Sequence, residues 1–109
     1  MPSTDFSKLQ LDPRHLKLLQ QLLALHVPKA EVWAYGSRVT GNAHQGSDLD
    51  IVLRNTADLE LAQSDWCELK EALQQSNLPI LVDVHDWALL PTSFHSNIED
   101  EYVVLQTGQ

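Results

Sequence analysis

The chain has 109 residues, 43% of them hydrophobic, with 7 Lys plus Arg against 15 Asp plus Glu and a formal net charge of −8. That length suits one domain over residues 1–109 with its first ten residues frayed, and such an acidic surface repels a phosphate backbone, so nucleic acid is a poor partner while divalent cations and a basic protein are suitable ones. There is no run of about 18 apolar residues, no basic, apolar leader follows Met1, and Cys67 is the single cysteine, so the composition points to a soluble cytoplasmic protein with no membrane span, no internal disulfide and no thiolate metal cluster.

Asp12-Pro13 is a helix start, with Asp as N-cap and Pro at the first helical position, where its missing N–H costs nothing. Leu16, Leu19, Leu22 and Leu23 recur at helical spacing until Pro28 forces a stop. Val32-Trp33-Ala34-Tyr35 is a short apolar strand running into a Gly36-Ser37 turn. Gly41, Asn42 and Gly46 mark a loop before a second strand, Asp48 to Leu53. The stripe Leu59, Ala62, Trp66, Leu69 and Leu73 predicts an amphipathic helix starting after Thr56 or Asp58. Ile80 to Val84 is a third strand. Thr92 or Ser93 then caps a final helix whose Phe94, Ile98, Tyr102 and Leu105 share a face, with Gly108 beyond its end. The order helix, strand, strand, helix, strand, helix indicates an α/β (α+β) domain, a small sheet packed by helices on at least one face.

The chemistry lies in the acidic residues of the strands. In a strand that opens Asp48-Leu49-Asp50, the two carboxylates share a face roughly 7 Å apart, while Leu49, Ile51 and Leu53 point into the core. Two such carboxylates repel each other unless a cation lies between them, and Mg²⁺, bound by one or two carboxylates plus water and phosphate oxygens, is the natural one. Asp83 is the lone acidic residue in its strand, and burying it unpaired would be costly. With Asp48 and Asp50 it would form a three-carboxylate cluster able to hold two metals for phosphoryl transfer. Asp86 competes for this role. Gly36 allows a sharp turn, and Ser37 offers a hydroxyl to a phosphate oxygen. Arg38, His44 and Lys70 are unranked candidates for phosphate contact. His15, His26, His44, His85 and His95 form no compact ligand motif, and most of them are assigned to the surface. Trp33, Trp66 and Trp87 are assigned to packing, and Cys67 is expected to be a small buried side chain.

The segment from Ala34-Tyr35-Gly36-Ser37-Arg38 through Ser47-Asp48-Leu49-Asp50-Ile51-Val52-Leu53 resembles the minimal nucleotidyltransferases of the polymerase-β-like superfamily. Their signature is a hydrophobic residue with Gly-Ser, about ten residues, Asp-x-Asp, and a third Asp on a later strand. The Leu81-to-Val84 strand and an Ile98-to-Gly108 helix extend the likeness over nearly the whole chain. The resemblance implies a small mixed sheet with helices on one side, one or two Mg²⁺ ions that Mn²⁺ can replace, and transfer of AMP from ATP with release of pyrophosphate. It also implies that Gly36, Ser37 and Arg38 bind the nucleotide. Asp48, Asp50 and Asp83 would be both metal ligands and catalytic residues, with Asp83 helping to deprotonate the acceptor. Many such proteins pair with a helical HEPN-type toxin and neutralise it by modifying a protein hydroxyl. The alternative is a catalytically silent module that keeps the fold to dock and neutralise its partner. Haloacid-dehalogenase phosphatases and Asp-x-Asp glycosyltransferases fit less well, because their carboxylates follow the apolar strand and neither explains Gly36-Ser37.

Overall fold

A computed structural model describes residues 2–3, 9–41, 48–62 and 66–108. Helix α1, Pro13–His26, begins as its sequence dictates: the Asp12 carboxylate accepts from the Arg14 N–H at 2.9 Å, and Pro13 occupies the first turn. At its end the Val27 N–H closes on the Leu23 carbonyl at 2.8 Å, one residue before Pro28. Strand β2, Glu31–Tyr35, runs through Gly36 into the single-turn helix α2, Ser37–Thr40. Strand β3, Leu49–Arg54, pairs antiparallel with β2, and helix α3, Trp66–Gln74, leads back to strand β4, Val82–Asp86, parallel to β3. After a 3₁₀ turn at Trp87–Leu89 and helix α4, Thr92–Asp100, the chain returns as strand β5, Tyr102–Gln106, antiparallel to β2. A two-residue strand β1, Pro2–Ser3, lies parallel to β5, giving the order β1-β5-β2-β3-β4.

The sheet separates two apolar clusters. Its main face carries Val32, Ala34, Leu49, Ile51, Leu53, Val82, Val84, Val103 and Leu105, and these pack against Leu19 and Leu23 of α1 and Leu69 and Leu73 of α3. The other face carries Trp33, Val52 and Tyr102, joined by Trp87 and by Ile98 of α4. There Trp33 stacks on Tyr102 at 3.7 Å and meets Trp87 edge-on at 5.5 Å, while Trp87 stacks on His95 at 3.8 Å. The Arg54 guanidinium lies 3.9 Å over Trp33 and 4.6 Å over Trp87, and it is ion-paired to Glu31. Cation and aromatic faces attract through the ring quadrupole, the more so away from water. These tryptophans are packing residues, as expected from the sequence.

Five expectations change. The C-terminal helix stops at Asp100, and Tyr102-Val103-Val104-Leu105 is a strand inside the sheet; its β-branched and aromatic residues suit a pleated surface, and alternation sends Val103 and Leu105 to one cluster and Tyr102 to the other. Residues 55–62, expected to open the α3 helix, form turns instead, because the Asn55 side chain accepts from the N–H groups of Ala57 and Asp58, and Asp58 accepts from Glu60, closing turns across Leu59. Strand β4 is shifted two residues to Val82–Asp86, since its ladder starts opposite Leu49. Near the N-terminus, where fraying was expected, Pro2–Ser3 pair with β5 and Leu9 is buried. Cys67, expected inside, is exposed on α3.

The two-cluster packing makes a graded prediction. Leu69→Ala, at a fully buried position, should lower the unfolding free energy in urea by about 2–5 kcal/mol. Leu25→Ala, on the outer side of α1 and 73% exposed, should stay within about 0.5 kcal/mol of the parent.

Candidate active site

Asp50 is the second residue of β3, and in the parallel ladder its partner is Asp83. Because side chains alternate, Leu49 and Ile51 on one strand and Val82 and Val84 on the other lie in the main core, and both carboxylates are carried to the opposite face. Two residues along β4 the same alternation brings His85 to that face, with Nε2 3.2 Å from Asp83 Oδ2. Asp50, Asp83 and His85 each offer a ligand atom, and these atoms lie within 4.8 Å of one another. All three side chains are only partly buried, so the cluster is open to solvent on one side.

The loop after β2 closes over this cluster. Tyr35 is the antiparallel partner of Asp50, and its ring lies 6.3 Å from that of His85. Gly36 then adopts φ +85° and ψ −157°, a region essentially restricted to glycine. A Cβ at this position would stand 2.5 Å from Asp50 Oδ2. Glycine is therefore required here twice, by backbone angle and by the carboxylate against it. Ser37 follows at the start of α2, whose turn is closed by the N–H groups of Val39 and Thr40 on the Gly36 carbonyl.

The electrostatics are those of a site short of positive charge. Burial, and secondarily the adjacent Asp83, push the Asp50 carboxyl above its ordinary range; Asp48 adds to this and His85 opposes it. Burial together with Asp50 and Asp83 also raises the Tyr35 phenol, which stays a neutral hydroxyl. Oxygen donors from two adjacent carboxylates, with one open side, fit a divalent cation.

The expected residues are thus only partly assembled as foreseen. Asp50 and Asp83 meet, but Asp48 precedes the ladder and is exposed in front of β3, so strand alternation does not direct it into the cluster. His85, one of five histidines in which the sequence showed no ligand motif, joins Asp50 and Asp83; the signal was available in Asp83-Val84-His85, where Asp83 and His85 share a face. Asp86 does not compete with Asp83, because it is 3% exposed on the core side and accepts from the Ala88 N–H at 3.0 Å. Arg38, expected at the nucleotide, is buried in a structural role: its guanidinium donates to the Gln10 carbonyl, and its own carbonyl accepts from the Gln10 N–H at 2.7 Å. Lys70 sits on α3, which packs with α1 on the main-core face of the sheet, with its ammonium 5.3 Å over the Trp66 ring. His44 lies outside the described residues.

A mixed sheet with paired acidic residues on neighbouring strands beneath a Gly-Ser turn is the architecture of a nucleotidyltransferase. Residues 17–108 match the family described as polymerase beta, nucleotidyltransferase, and the chain belongs to that family, in its minimal form. It is 39% identical over 103 residues to the probable protein adenylyltransferase MntA of Haemophilus influenzae, a match covering 94% of this chain and 89% of that protein. Its fold is also similar to a chain in a crystal structure of a toxin-antitoxin with AMP-PNP, at TM-score 0.68 and 26% identity, over 86% of this chain and 74% of the other.

Two substitutions test the site's internal geometry. Gly36→Ala should destabilise the protein by about 1–3 kcal/mol in chemical denaturation, because the backbone region and the Asp50 carboxylate both exclude a side chain. Asp50→Asn should do the reverse in a pH-dependent way. A carboxyl whose folded pKa is raised contributes stability that is fully present below its unfolded pKa and is lost as pH rises through the folded one. With divalent ions chelated, Asp50→Asn should therefore melt at a higher temperature than the parent at pH 7, and this gain should disappear near pH 3, below the unfolded pKa of about 3.9.

Proposed function

We propose that this chain transfers AMP from ATP to a hydroxyl of a partner protein, a HEPN-type toxin, and so acts as its antitoxin. The observation that carries the reading is the register pair Asp50–Asp83, two partly buried carboxylates side by side, with Asp50 against Gly36. Support for the acceptor and partner comes from two relatives, one named a probable protein adenylyltransferase and one described as a toxin-antitoxin with AMP-PNP. The net charge of −8 also disfavours a nucleic-acid 3′ end as acceptor.

On this reading the backbone at Gly36 and the Ser37 hydroxyl hold the triphosphate, and the missing Cβ at Gly36 lets that backbone lie directly against the Asp50 carboxylate. Asp50 and Asp83, with Asp48 in front of β3, would hold Mg²⁺, which when bound withdraws charge from the phosphate oxygens. The acceptor hydroxyl attacks the α-phosphorus in line, a new O–P bond forms, and the bond to the β-phosphate breaks to release pyrophosphate. Asp83 takes the hydroxyl proton and returns it to solvent across its open side. Tyr35, kept neutral by its setting, can donate a hydrogen bond at the rim.

Calorimetry with ATP and Mg²⁺ tests the binding step, and labelled ATP with the partner tests transfer. Asp83→Asn should reduce label on the partner at least a hundredfold while leaving the thermal midpoint unchanged or raised. Heat no greater than buffer, with the partner present, would favour the silent docking module. Label on RNA ends with an unmodified partner would overturn the acceptor.

A further inference from the structure

Resting on the nucleotidyltransferase reading only for the presence of an ion in the site, we propose that His85 is a direct ligand of that ion and gives the site a preference for Mn²⁺ over Mg²⁺. The acidic pair alone would make an all-oxygen site, the environment in which Mg²⁺ is held by carboxylates, water and phosphate. His85 changes the donor set. Strand alternation fixes it on the face of Asp83, one step further along β4, and its ligand atom belongs to the same group as those of Asp50 and Asp83, all within 4.8 Å. Two metal–donor bonds of about 2.1 Å span about 4.2 Å, so a small rotation of a carboxylate or of the imidazole brings three donors onto one ion.

The ring is also held for this purpose. His85 is 34% exposed, with Nε2 3.2 Å from Asp83 Oδ2 and the Tyr35 ring on its flank. An imidazole nitrogen is a poor partner for Mg²⁺, a hard ion reluctant to shed water, whereas first-row transition ions accept it readily. A neutral nitrogen beside the carboxylates adds donor strength for Mn²⁺ without a further negative charge, and leaves coordination positions for the triphosphate.

The test uses the full chain, stripped of metal and labelled with ¹⁵N-histidine, and Mn²⁺ and Mg²⁺ as probes. Pulsed electron paramagnetic resonance on the Mn²⁺-loaded protein should show coupling to one imidazole nitrogen. His85→Gln should remove that coupling while keeping an amide able to hydrogen-bond Asp83, and the partial exposure of this position lets the variant fold, which its thermal melt checks. In calorimetry the same substitution should weaken Mn²⁺ about tenfold or more and Mg²⁺ far less. Mn²⁺ bound without nitrogen coupling, coupling that survives His85→Gln, or equal weakening of both ions would overturn the proposal and leave His85 as a residue that positions Asp83, with the nucleotidyltransferase reading intact. Failure of the parent protein to bind either ion, with or without ATP, would overturn both.

Discussion

Asp50 and Asp83 face one another because β3 and β4 are parallel and in a register that the core side enforces. A slip of one residue would turn Leu49, Ile51 and Leu53, or Val82 and Val84, out of the cluster formed with α1 and α3, and so expose a whole apolar set. Hydrophobic burial on one face therefore holds a like-charge pair together on the other. The repulsion is local and is lowered by the partial exposure of both groups, whereas the apolar set is distributed over two strands and two helices. The fold can keep an arrangement that is unfavourable in itself because the larger, non-directional term lies behind it.

Much of this was legible in the residues. Alternation alone carried Asp50 and Asp83 to one face and the aliphatic residues to the other, and Asp12-Pro13 and Pro28 bounded α1 correctly. Legibility failed where a local pattern suits two structures. Phe94, Ile98, Tyr102 and Leu105 have helical spacing, yet Tyr102 to Leu105 also alternate, and the sheet took them because β2 offered an edge to pair with. In the same way Leu59 and Ala62 extend the α3 stripe, but side-chain bonds from Asn55 and Asp58 compete locally for the backbone.

The site was partly legible for a related reason. Positions inside the ladder, such as Asp83 and His85, have directions set by pairing, and His85 could have been found by extending the rule already applied to Asp83. Asp48 lies one residue outside the strand, where that rule has no force. Arg38 is a different case, since a cation next to Gly36-Ser37 invites a phosphate. What places it instead is the return of residues 9–11 over α2, a contact between segments 28 residues apart that no local pattern announces. With its guanidinium on the Gln10 carbonyl, Arg38 braces the turn that presents Gly36 and Ser37.

The second face of the sheet is asymmetric, and the asymmetry decides where substrates can meet. At one end Trp33, Tyr102, Trp87 and Ile98 seal the surface, and the Arg54–Glu31 pair lies against the rings. At the other end Asp50 is partly exposed, and Asp83 and His85 keep 48% and 34% of their side chains in water. Stacked rings rigidify the strands from which Tyr35, Asp50 and Asp83 project, so the donor atoms are preorganised without being covered. On the proposed reading the enclosure comes from the nucleotide and the acceptor protein, which would exclude water over the carboxylates only once both are in place and so restrict transfer to the correct partner.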